Sequence, residues 1–122
     1  MTLRKERYMQ VQENLPAFII GLPQDLLEAD LAKSKFADTV RFLKKLMPEL
    51  EEAKCKIKVI HSPSKKSQYQ VDVNIVTPNK SHQYTSSGWD LVKIFDEMSE
   101  SLKKTFVQEK RMASRGRIAK HA

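Results

Sequence analysis

Three histidines, one cysteine and 15 carboxylates are the side chains of this 122-residue chain that could carry catalysis or hold a metal. His61, His82 and His121 stand far apart and share no metal-ligand spacing. Cys55 is alone, so neither an internal disulfide nor a thiol cluster can form. Asp96 and Glu97 are neighbours on an expected helix and diverge by about 100°, so they cannot converge on one substrate. No glycine-rich phosphate loop and no Gly-x-Ser-x-Gly elbow occurs. The pattern points away from an enzyme, and no cofactor is expected.

The basic side chains are more informative. The net charge is +7, and it is concentrated in two blocks. Residues 54–80 hold six basic and one acidic side chain, and residues 103–122 hold seven and one. The other two stretches are near neutral or acidic: residues 1–53 hold eight basic against nine acidic, and residues 81–102 hold one against four. Clustering of this kind favours a polyanionic partner. Lys103, Lys104, Lys110, Arg111, Arg115, Arg117 and Lys120 form the C-terminal block, suited to neutralising phosphates and releasing counterions. Lys33, Lys35, Arg41, Lys44 and Lys45 make a second basic set, where a solvated face and RNA contact are both open readings. Lys54, Lys56 and Lys58 alternate along a strand, where lysines also guard against unwanted pairing. Trp89, Tyr84 and His82 could stack on bases, although a tryptophan at a helix start more often packs. Tyr69 and Cys55 fall on core positions.

These groups must be positioned by a short series of elements. Residues 1–16 are weakly patterned and read as an extension. Ala17 to Ile20 is a short apolar run ended by Gly21 and Pro23, which suits a buried strand. From about Asp25 to Leu46 the pattern is helical: Phe36, Val40, Leu43, Met47 and Leu50 recur three and four apart, and Pro48 ends the run. Cys55, Ile57 and Val59, then Tyr69, Val71, Val73 and Ile75, alternate with polar residues as half-buried strands do. His61 to Ser67 is a polar loop, in which Lys65 and Lys66 could reach phosphate. Thr77-Pro78-Asn79-Lys80 reads as a tight turn exploiting asparagine's tolerance of positive φ. A weaker strand covers Ser81 to Ser86. Ser87 and Asp90 read as a capping box for a helix whose stripe is Leu91, Ile94, Phe95, Met98, Leu102 and Phe106. Residues 111–122 read as a basic flexible tail. The expected fold is α+β, a two-layer β-α-β-β-β-α domain over residues 17–110, with a four-stranded sheet and both helices on one face.

Residues 71–79 (Val-Asp-Val-Asn-Ile-Val-Thr-Pro-Asn) resemble the third strand and following hairpin of the ribosome hibernation-promoting factors and ribosome-associated inhibitors. Gly88-Trp89-Asp90-Leu91, Phe95-Asp96-Glu97 and Leu102 are similar to that family's closing-helix pattern of Gly-x-Asp-Met, Ile-Asp-Glu and Leu. The resemblance covers roughly residues 54–106; residues 22–32 do not follow the pattern. It implies the short, single-domain form, lacking the dimerisation domain of long members. Such a factor sits near the decoding region of an idle small ribosomal subunit and blocks messenger and transfer RNA. It would be cytoplasmic and monomeric off the ribosome, with neighbouring ribosomal proteins as further partners. The family's helices present basic side chains to rRNA, which would place Lys33, Arg41, Lys44, Lys45, Lys103, Lys104, Lys110 and Arg111 at the interface, with Arg115, Arg117 and Lys120 ordered on binding. The Gly-Gly-Gln of peptidyl-tRNA-releasing factors is missing. The alternatives are a double-stranded-RNA-binding type of domain, although the Lys-Lys-x-Ala-Lys opening of its last helix is absent, and a protein-binding regulatory module. No run reaches the ~20 apolar residues of a membrane helix. The first residues lack a signal peptide's apolar block, and Glu6 and Glu13 weigh against a transit signal.

Overall fold

In a computed structural model, the backbone is described over residues 7–60 and 68–121 and the side chains as far as residue 112. The elements are β1 (Met9–Gln10), β2 (Ala17–Ile20), α1 (Leu26–Leu46), β3 (Glu52–Ile60), β4 (Gln68–Val76), β5 (Ser81–Gly88) and α2 (Leu91–His121). They form an α+β domain with a five-stranded mixed sheet in the order β1-β2-β3-β4-β5. β2 and β3 are parallel across the α1 crossover, and every other pair is antiparallel.

Period-two alternation decides which face of the sheet is covered. Ala17 and Ile19, Ala53, Cys55 and Ile57, and Val71, Val73 and Ile75 are buried in one cluster with Phe36, Val40 and Leu43 of α1. Leu91, Ile94, Phe95, Met98, Leu102 and Phe106 of α2 enter the same cluster, so both helices lie on that face. Among the described residues, no helix lies on the other face. Gly21 closes β2 with φ of +88°, and a Cβ there would stand 2.0 Å from the Ile57 carbonyl oxygen. Only glycine lets the chain turn there while passing so close to β3.

Four expectations change. The sheet has a fifth strand, because Met9 and Gln10 pair with Ile19 and Phe18. Residues 9–15 of the extension are therefore part of the domain: Leu15 is buried, Val11 packs on the core, and Gln10 Nε2 donates to the Leu15 carbonyl at 2.9 Å; residues 1–6 lie outside the described residues. Asp90, not a Ser87 capping box, caps α2, its carboxylate accepting from the Lys93 N–H at 3.3 Å. Ser87 belongs to β5, which is longer than expected. Asn79 does not use positive φ, a conformation that only Asn14 adopts among described non-glycine residues; Thr77 N–H donates to Lys80 O at 2.8 Å to close the turn. Finally, α2 continues to His121, through the stretch expected to be a tail.

Candidate nucleic-acid interface

α1 and α2 run side by side in the same direction, as the paired contacts climb both helices together. Lys35 pairs with Asp96. Thr39 is buried, donating to the Lys35 carbonyl (2.7 Å) and lying 2.8 Å from Ser99 Oγ. One turn on, Lys103 Nζ lies 5.0 Å from the centroid of the Phe42 ring. Lys110 Nζ then donates to Leu46 O at 2.7 Å. α1 ends at this point, while α2 goes on for roughly 16 Å more at its rise of 1.5 Å per residue. The last turn of α1, with its unsatisfied carbonyls and partial negative charge, is thus flanked by the basic half of α2.

This arrangement divides the expected contact residues. Lys44 Nζ donates to Pro48 O (2.8 Å) and Leu50 O (2.9 Å), pinning the chain that leaves α1. Lys110 answers the last carbonyl of that helix, and Lys44 the carbonyls just beyond it. Lys33 is 3.6 Å from Asp30. Arg41 is held by Asp38 and by Gln12 of the N-terminal arm. Lys45, Lys104 and Arg111 are exposed and have no partner among the described residues. Lys103, Lys104, Val107, Gln108, Arg111 and Met112 line an open groove of about 560 Å³ on α2. The structure therefore gathers Lys44, Lys45, Lys103 and Lys110 around the end of α1, with Lys104 and Arg111 beside them on α2. Lys33 stands apart, nearer the start of α1. Arg115, Arg117 and Lys120, like Lys65, Lys66, His61 and His121, lie outside the described side chains.

The proposed base-stacking residues separate in the same way. His82 packs on Phe106, centroids 4.7 Å apart, and its Nε2 is 2.9 Å from both oxygens of Glu109. Lys80 Nζ reaches the same carboxylate at 3.3 Å. Burial pushes the Glu109 carboxyl up, but the His82 hydrogen bond and charge, with Lys80, outweigh it and hold it below its ordinary value. This trio fastens the start of β5 to the basic half of α2, a role that sequence spacing did not disclose. Tyr84 is partly buried against the core. Trp89, expected to pack, is 56% exposed. Asp90 caps the helix, so Trp89 precedes its first turn and is carried outside the buried stripe. Tyr69 is half-buried on the core side; burial, then the Glu28 carboxylate, pushes its phenol up. Cys55 is fully buried, and its thiol is pushed up by burial and then by the Asp72 charge. It is a small core side chain, not a reactive one.

No protein-family model and no curated protein matches the chain. The described residues include no group of three or more His, Cys, Asp or Glu placed to hold a metal ion. Their helices include none long and apolar enough to cross a membrane. What the arrangement can do chemically is present cations on a rigid pair of helices, held by a continuous core.

Proposed function

We propose that this chain is a translation-silencing factor that occupies the small ribosomal subunit near its decoding region, blocking messenger and transfer RNA without catalysing a reaction. The observation that carries this reading is the exposed set Lys45, Lys104 and Arg111, unpartnered among the described residues and grouped where α1 ends against α2. Cations fixed on rigid helices meet phosphate with little side-chain rearrangement, and each phosphate neutralised releases counterions. The likeness of residues 54–106 to the hibernation factors supplies the choice of rRNA over other polyanions. On this reading the protein is cytoplasmic and ribosome-associated, acts as a monomer, and needs no cofactor. Arg115, Arg117 and Lys120 add charge to the same end of the chain.

Occupancy has a distinctive stoichiometry. Added to a purified translation system, the protein should inhibit only as its concentration approaches that of the ribosomes. Full inhibition at a hundredth of that concentration would mean turnover, and the non-enzymatic reading would fail. A mobility shift with plain duplex RNA, but no association with ribosomal subunits, would favour a double-stranded-RNA-binding function instead.

A further inference from the structure

The face of the sheet opposite the helices is chemically ordered, and the strand register shows how. Phe18, Lys54, Asn74 and Gln83 stand in one row across four strands, and Ile20, Lys56, Asp72 and Thr85 in the next. A third row holds Lys58, Gln70 and Ser87. Along the strands these rows become stripes: apolar on β2, cationic on β3, amide and carboxylate on β4, amide and hydroxyl on β5. The β3 lysines recur every second residue, roughly 6.6 Å apart, a separation comparable with that of adjacent phosphates on an extended strand. Tyr8 of the N-terminal arm flanks the lysine stripe, with Lys54 Nζ 5.1 Å from its ring centroid. Tyr8, Lys54, Lys56, Asn74, Gln83 and Thr85 are among the residues lining a groove of about 320 Å³.

One atom in this groove lacks a partner. Asn74 Oδ1 is buried and accepts no hydrogen bond among the described residues. Its neighbours in the row, Lys54 and Gln83, are long side chains that can swing aside. Beside it, Asp72 accepts from Gln70 Nε2 at 3.3 and 3.5 Å and lies 3.9 Å from Lys58 Nζ, long contacts among the described residues. Lys54 is 3.7 Å from Glu52. Such exposed, loose pairs are readily exchanged for a phosphate.

We propose that the open sheet face binds a single strand of RNA, with the β3 lysines along its backbone, Tyr8 stacked on a base, and the Asp72–Asn74 acceptors reading base edges. Cations, an aromatic platform and edge-reading groups are the three components that single-strand recognition needs. Duplex RNA is excluded because its bases are stacked inside and cannot lie on a sheet. The acceptors favour bases with an exocyclic amine, since a carboxylate or amide oxygen takes a hydrogen bond from the N4 amine of cytosine, where uracil carries a carbonyl oxygen that would be set against them and has only its N3–H to donate. This inference does not rest on the ribosomal reading, because the surface is opposite the helices.

The test uses the full chain with labelled single-stranded hexacytidylate, hexauridylate and a duplex of equal length. The single strands should bind, hexacytidylate several-fold more tightly than hexauridylate, and the duplex should not compete. Lys54→Glu with Lys56→Glu should weaken hexacytidylate about tenfold or more, and Tyr8→Ala about fivefold. Asn74→Leu should reduce the preference for cytosine, and Asn74→Leu with Asp72→Leu should abolish it. Lys93→Glu, a charge reversal on the outer side of α2, should change nothing. Thermal unfolding of each variant separates lost binding from lost folding. For any variant that does not fold, amide shifts of the wild-type protein on titration decide: they should fall on β3, β4 and β5. Shifts confined to α2, equal weakening by Lys93→Glu, or equal affinity for cytosine, uracil and duplex would overturn the proposal.

Discussion

α1 and α2 both carry clusters of basic side chains, yet those charges are committed differently. On α1, Lys33 pairs with Asp30, Arg41 is held by Asp38 and Gln12, and Lys44 is spent on two carbonyls beyond the helix. Only Lys45 is left without a partner among the described residues. On α2, Lys110 is drawn to the end of α1 and Lys103 rests on Phe42, while Lys104 and Arg111 face outward with no such partner. The reason is geometric. α1 ends inside the domain and its last carbonyls must be answered locally, whereas α2 passes that point and leaves part of its charge without a partner among the described residues. Charge counted along a sequence is not the same as charge available for binding.

The sharpest way to break this comparison is to reverse the free charges of α2. Lys104→Glu with Arg111→Glu should weaken association with the small subunit by at least about tenfold and flatten its salt dependence by about 1.4–1.8 in the log–log slope. Thermal stability should hardly move, because neither side chain has a partner among the described residues to lose. Lys44→Met and Lys110→Met should show the inverse, each losing about 1 kcal/mol of stability in denaturant titrations with a much smaller change in affinity. If these two variants bind as poorly as the α2 pair, the division between structural and available lysines is wrong.

Smaller effects refine it. Glu109 has its carboxyl held below the ordinary value in the fold, so its tie to His82 and Lys80 stabilises the protein above the unfolded value of about 4.3. That contribution should be lost as pH falls through this value and then through the lower folded one. Glu109→Gln should flatten the acid limb of a stability–pH curve; an unchanged limb would show that the tie contributes nothing. Lys33→Ala should be the mildest change. An exposed pair is worth about 0–1 kcal/mol, so stability should stay within about 0.5 kcal/mol. Affinity should be unaltered, and a clear loss would return Lys33 to the interface.

Much of the fold was legible because buried elements impose a period. The alternation in β3 and β4 and the stripe from Leu91 to Phe106 could be read directly, and Pro48 marked the end of α1. β1 could not be read, since two residues carry no period and pair only once β2 is in place. The α2 cap was misplaced by one turn because Ser87 and Asp90 are both good caps, and the choice between them depends on how far β5 pairs with β4. The candidate site was legible as charge, since Lys104 and Arg111 stand in an obvious basic block. Its internal commitments were not. Lys44 reaches Pro48 and Leu50 through a turn, and Lys110 meets Leu46 across 64 residues of sequence. The open sheet face was visible only as alternating lysines, because its rows exist only after four strands are set in register.

The central claim, that this protein occupies the small ribosomal subunit through phosphate contacts, is tested most directly by sedimentation with purified subunits across a salt series. The account predicts saturable, near one-to-one association with the small subunit and not the large one. Affinity should fall linearly on a log–log salt plot, with a slope of at least about 2 from Lys45, Lys104 and Arg111 at 0.7–0.9 per contact. Salt-insensitive association, equal association with both subunits, or no association at low salt would contradict it.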